Sequence, residues 1–338
     1  MRVRLWLAAA ALALLAACAI NATEQVAGPV VLHDGEYVEV VCECAAATPI
    51  LTETSEPPAA TSTPRPTDTP EPTATPTPRP TYAPPPPISG KKGVGLTWGN
   101  CPGTNDGRDA VTLGVDWTVT WGTNPILVPG VEAVPMIWGR FSGCPTLGGN
   151  SDYVLGFNEP GLEEQSNMPP LVGAVYWRRL EQCYPHKRLV SPATVRFDTL
   201  DNSWWLEEMR NEYIDRYDEP PRFDVLALHC YASGANPLRT ICNQQVNKFA
   251  GWAEDWNIPE GIWVTEFAQV TTSETAMVYF LDRTVSWMES NPAIDRYAWF
   301  STRLRGDESY AFGGGVNTSL VDCDTGALTA AGREYVKY

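Results

Sequence analysis

YVLGFNEP (153–160) passes from buried-strand residues straight into asparagine, glutamate and proline. A short apolar run of this kind suits a strand covered on both faces, as in a parallel sheet between helices. Pro160 cannot donate to a ladder and so helps to end it. Glu159 is thereby left at the mouth of a buried strand, where an unpaired carboxylate is expensive. A second stretch, IWVTEFA (262–268), repeats the arrangement with Glu266.

Working outward from these two, six more short apolar runs recur along the chain. The full series is GVGLTW (93–98), WTVTWG (117–122), AVPMIWG (133–139), YVLGF (153–157), RLVSPAT (188–194), FDVLALHCY (223–231), IWVTEF (262–267) and RYAWFS (296–301). Between the later ones the apolar spacing becomes helical. Val246, Phe249, Ala250, Ala253 and Trp256 follow three-four spacing, as do Met277, Phe280, Leu281, Thr284 and Met288. Leu171–Leu180 and Trp204–Ile214 read as two further helices. Residues 90–338 thus have the length and the strand count of a (β/α)8 TIM barrel, an α/β fold. NPILVPGVE and RFSGCPTLGGNSD, after strands two and three, hold too much Pro and Gly for full helices. Helices are therefore expected to be reduced or missing on the strand 2–4 side.

The rest of the chain is of another kind. Residues 1–18, MRVRLWLAAAALALLAAC, have two arginines, an apolar run and small residues, the architecture of a secretory signal. Its ending LAAC resembles the bacterial lipobox, which implies a lipid on Cys18; ordinary cleavage with Cys18 incidental is the alternative. Residues 19–47 form a short segment in which VVLHDGEYVEVV suffices for a small hairpin. Residues 48–89, including TSTPRPTDTPEPTATPTPRPTYAPPPP, are too rich in Pro and Thr to build a core and read as an extended linker. The expected location is extracytoplasmic, anchored to the membrane through Cys18 or secreted.

The formal charge of −16 argues against a nucleic-acid partner, since phosphate binding needs a basic surface. With 13 Trp and 13 Tyr, the chain has aromatic rings to spare for stacking surfaces. Cys101, Cys144, Cys183, Cys230, Cys242 and Cys323 form an even set after position 100, read as disulfides in an oxidising compartment. Cys230 with Cys242 is the local choice; six cysteines allow 15 pairings and the sequence does not fix them. Only three histidines and no C-x-x-C leave little basis for a metal, and no cofactor is expected. A monomer is expected.

In a parallel barrel the C-terminal strand ends meet over one pocket, where catalysis takes place. Glu159 and Glu266 end strands four and seven. A single strand-end glutamate is better explained by an arginine partner; two at matched ends point to glycoside hydrolysis, which uses a carboxylic acid and a carboxylate. Burial of Glu159 would favour its protonated form, as a proton donor requires.

Asn158-Glu159-Pro160 and Trp263-Val264-Thr265-Glu266-Phe267 resemble the signatures of clan A retaining glycosidases. More narrowly, VPMIWG, LGFNEP, LVSPA, HCY, IWVTEFA and YAWF, in this order over residues 91–338, resemble glycoside hydrolase family 128, small (β/α)8 enzymes acting on β-1,3-glucans. The resemblance implies Glu159 as acid/base and Glu266 as nucleophile, with Asn158 on the sugar 2-hydroxyl. It implies that Tyr231 orients the nucleophile, that His229 faces the pocket with it, and that Trp299 forms the platform under the sugar. Trp138 and Trp121 are read as further stacking faces, with core packing the alternative. Strand one, LTWGN, departs from the pattern and leaves open whether Trp98 or Asn100 binds. Two other readings stand beside this one: a clan A enzyme on β-mannan, xylan or galactan, and a non-catalytic glycan-binding surface lipoprotein.

Overall fold

The computed structural model describes residues 29–31, 37–39, 90–97, 101, 107–197, 200–233, 240–304 and 316–338. The chain divides into two units, 1–79 and 80–338. In the first, β1 (Pro29–Val31) and β2 (Tyr37–Glu39) pair antiparallel, the small hairpin expected of that segment. The signal with Cys18, the Pro/Thr linker, Trp98 and Asn100 lie outside the described residues.

Among the described residues, the second unit is built on nine strand segments. They are β3 (Lys92–Gly95), β4 (Trp117–Val119), β5 (Glu132–Val134), β6 (Tyr153–Leu155), β7 (Arg188–Val190), β8 (Thr194–Arg196), β9 (Leu226–Ser233), β10 (Ile262–Val270) and β11 (Ile294–Trp299). Seven of them form one parallel sheet in the order β5-β4-β3-β11-β10-β9-β8, and β6 pairs with β7. Parallel bridges Met136 to Leu155 and Val190 to Val225 join the two sheets. The ring therefore closes, with β7 and β8 as two pieces of one strand interrupted around Pro192, which has no N–H to give a ladder. Eight barrel positions result, at the eight runs read from the sequence.

Among the described residues six helices surround it: α1 (Arg108–Leu113), α2 (Pro170–Cys183), α3 (Trp204–Tyr217), α4 (Thr240–Asp255), α5 (Glu274–Ser290) and α6 (Ala330–Tyr335). The described connections from β4 to β5 and from β5 to β6 contain no helix, as their Pro and Gly content predicts. Covalent and polar ties take the place of helix packing there. A Cys144–Cys183 disulfide fastens the second connection to the end of α2, and the Tyr184 hydroxyl donates to the Pro145 carbonyl at 2.6 Å. The other bonds are Cys101–Cys323 and the locally expected Cys230–Cys242.

The barrel interior is packed, not hollow. Its floor is a cluster of Trp117, Tyr153 and Trp263 around the buried Arg296 guanidinium, which lies 4.2 Å from the Trp263 ring centroid and bonds Glu132 at 2.7 Å. Above it Val119, Leu155, Val190, Ala227 and Ala298 fill the next level. This packed floor closes one end of the barrel and leaves the polar strand ends grouped at the opposite, C-terminal mouth.

Candidate active site

Beyond β6 the chain keeps bonding to its neighbours before it turns away. The Asn158 N–H donates to the Trp138 carbonyl and the Glu159 N–H to the Ala193 carbonyl, both at 2.9 Å. Glu159 then adopts φ 43°, left-handed backbone that a residue with a β-carbon rarely takes. Trp121, just past β4, does the same with φ 49°. Such conformations cost on the order of 1–3 kcal/mol and persist where the surroundings fix them, typically at functional sites.

β10 places Glu266 by an irregularity. Trp263 pairs with Ala227 and Val264 with Leu228, but Glu266 rather than Thr265 pairs with His229. Thr265 is thus an extra residue, a bulge. Strand side chains alternate faces. Trp263 lies in the barrel interior and Glu266 is three residues on, so without the bulge Glu266 would face the helices. With it, Glu266 points inward and Phe267 outward onto Trp299.

The inward groups converge. His229 Nδ1 is 2.7 Å from Glu159 Oε1 and 3.3 Å from Glu266 Oε2. The Tyr231 hydroxyl donates to Glu266 Oε2, and the Trp121 indole N–H donates to Glu266 Oε1 at 2.6 Å. One oxygen of Glu159, one of Glu266 and a ring nitrogen of His229 all lie within 4.8 Å of one another. Asn158 donates to Gln165 Oε1 at 3.1 Å, while its own buried Oδ1 has no partner. Cys230, between His229 and Tyr231, points outward to its bond with Cys242 in α4.

Burial pushes Glu266 above the ordinary carboxylate range and the Glu159 charge adds to the rise; His229, Tyr231 and Trp121 work against it. Burial alone would lower His229, but the Glu266 charge, the bond to Glu159 and the Glu159 charge outweigh it, and its pKa is raised. Burial and both carboxylates lift the Tyr231 phenol well above its usual value, so it stays a donor. Tyr231 and Trp121 donate to Glu266, and His229 lies between it and Glu159. Glu159, Glu266 and His229 could together offer two oxygens and a nitrogen to a cation.

Six of the expected site residues therefore meet: Glu159, Glu266, Asn158, His229, Tyr231 and Trp121. Trp121 is a hydrogen-bond donor to Glu266 here. Trp138 stands apart at the mouth, 39% exposed. Trp299 is a correction. It is fully buried in the outer layer, edge-on to Phe267, near Phe280 and Tyr335, with its N–H on the Thr318 carbonyl at 2.7 Å. Alternation turns it away from the pocket, so it cannot lie beneath a sugar. The next residue, Phe300, takes the inward position, its ring 5.4 Å from Trp121 and 6.1 Å from Tyr231. Phe197, also missed, stacks on Tyr231 at 5.0 Å. The available signal for Phe300 was its place beside Trp299 in WF, where only one ring can face inward.

A family described as "Glycosyl hydrolase catalytic core" matches residues 95–335. Among solved structures, the chain is 25% identical to a subgroup I endo-β-1,3-glucanase of glycoside hydrolase family 128 from Amycolatopsis mediterranei, bound to laminaritriose. That match covers 73% of this chain and 98% of the other, with a TM-score of 0.55. A subgroup II endo-β-1,3-glucanase from Pseudomonas viridiflava is 26% identical over 73% of this chain and 96% of its own, with a TM-score of 0.54. A subgroup III exo-β-1,3-glucanase from Blastomyces gilchristii shares the fold at 23% identity, over 75% and 100% of the two chains, with a TM-score of 0.57. No curated protein matches the chain.

Proposed function

This chain belongs to the glycosyl hydrolase catalytic core family, and from that premise we propose that it cleaves β-1,3-glucan internally with net retention at the anomeric carbon. The observation that carries the mechanism is the spacing of the two carboxylates, with one oxygen of each inside the 4.8 Å cluster. Retaining glycosidases keep their carboxyls about 5–5.5 Å apart, whereas inverting ones need roughly 6.5–9.5 Å to admit a water. The spacing supports the short, retaining arrangement.

In this reading Glu266 attacks the anomeric carbon as an anion steadied by Tyr231, Trp121 and His229. Glu159 gives its proton to the leaving oxygen, and a glycosyl ester forms on Glu266. Water then enters on the side vacated by the leaving sugar, Glu159 takes its proton, and the ester is released. Asn158, with a buried amide oxygen unpartnered beside Glu159, is placed to bond a sugar hydroxyl. Phe300, not Trp299, supplies the aromatic surface at the pocket, and Trp138 a further one at the rim.

The substrate rests on the family and on the endo-β-1,3-glucanases that the chain resembles at 25 and 26% identity. The test is incubation with laminarin, curdlan, lichenan, mannan and xylan followed by sizing of the products. A ladder of oligosaccharides from β-1,3-linked material alone is expected. Cleavage of mannan or xylan instead would overturn the substrate, and no cleavage of any glycan would overturn the enzymatic reading.

A further inference from the structure

We infer that Gly95, on β3, two strands from Glu266 in the sheet, is a positioning residue for Glu266, because its missing side chain is the space in which the Trp121 indole lies. The inference rests on the functional reading above. Gly95 sits on β3 beside β4, paired with Val119. A β-carbon built at Gly95 would come 2.6 Å from Trp121 Cη2 and 3.1 Å from Cζ2, the far edge of the six-membered ring. On another side the Phe300 ring meets Trp121 edge-on at 5.4 Å. The indole is thus enclosed between a bare strand and an aromatic ring, with its backbone in the left-handed region and its N–H 2.6 Å from Glu266 Oε1. A methyl group at position 95 would press on this ring below 3.0 Å, so the indole that donates to Glu266 would have to shift.

The same strand repeats the device one level down. A β-carbon at Gly93 would meet Trp117 Cε2 at 2.3 Å. The inner face of β3 is therefore kept bare beneath two indoles of the β4 strand and its extension. Only the upper one, Trp121, reaches a carboxylate.

Gly95→Ala and Trp121→Phe, made in the full chain and assayed on laminarin, test this. A hydrogen bond to a charged group is lost in each, so kcat should fall roughly tenfold to a hundredfold with KM little changed. Losing a donor disfavours the carboxylate, so the acidic limb of the kcat/KM profile should move to higher pH in both variants. The double variant should be no worse than the poorer single one, since both remove the same contact. Unchanged kcat and limb in Gly95→Ala, or additive losses in the double variant, would overturn the inference. If Gly95→Ala does not fold, Trp121→Phe decides, and an unshifted limb there overturns it. A readout independent of turnover is the 15N-labelled indole signal of Trp121. It should follow the ionisation of Glu266 in the wild type, lose that dependence in Glu266→Gln, and be displaced in Gly95→Ala. An indole indifferent to Glu266→Gln overturns the inference whatever the substrate. A coupled indole in a protein that cleaves no glucan supports it and sinks the functional reading alone.

Discussion

In the proposed mechanism four side chains carry the chemistry, and three local features bring them to the pocket. Glu159 is turned by its own left-handed backbone, Glu266 by a bulge, and His229 and Tyr231 by plain alternation on β9. Glu266→Ala should lower kcat by roughly ten-thousandfold or more with the fold intact. Azide should restore part of the turnover and yield an α-glycosyl azide; full activity in the variant would remove Glu266 from the mechanism. The imidazole gives a stability prediction with a definite sign. His229 has its pKa raised in the folded state, so its contribution is complete below about 6.5, the ordinary value, and is lost as pH rises through the folded value. The Tm advantage of the wild type over His229→Gln should therefore be largest at acidic pH and shrink above neutrality. An advantage that grows with pH would contradict it. Glu159 and Glu266 stand out in the sequence because a carboxylate inside an apolar run is conspicuous, whereas His229 and Tyr231 are singled out through the family resemblance. Trp299 is misread because a run such as RYAWF does not reveal the phase of its alternation, and one step exchanges it with Phe300.

Elements were more legible than side chains. Eight apolar runs and four strong helical patterns appear in the sequence where the structure has them, since burial on both faces leaves little freedom of composition. The missing helices were legible too, through proline and glycine. What replaces them was not, because disulfide partners depend on the fold. Cys144–Cys183 spans 39 residues and ties down the side of the barrel without helices. Replacing both cysteines by serine should cost roughly 2–4 kcal/mol of stability. Hydrolysis should survive, because neither cysteine touches the pocket. Denaturant unfolding and a laminarin assay check the two halves; a variant of unchanged stability would show that the polar contacts there suffice. The Thr265 bulge was likewise hidden, since IWVTEF reads as an uninterrupted strand until its register against β9 is seen.

At the scale of the molecule, a packed apolar floor and a polar mouth make a barrel with one working end. The acidic charge of −16 suits a neutral polysaccharide better than any polyanion. We also propose that the barrel is held at a membrane through Cys18, with residues 48–89 as spacer. Cys18→Ser expressed in a bacterium should pass from the detergent-soluble membrane fraction to the soluble one, and unchanged partition would refute the anchor. The central proposal is that two carboxylates at the C-terminal ends of two barrel strands, Glu159 beyond β6 and Glu266 on β10, hydrolyse β-1,3-glucan by double displacement. Proton NMR of the first products from a laminari-oligosaccharide measures it most directly. The β-anomer should appear first and mutarotate to the α-anomer afterwards. An α-anomer formed first would mean inversion and contradict the assignment of Glu266 as nucleophile.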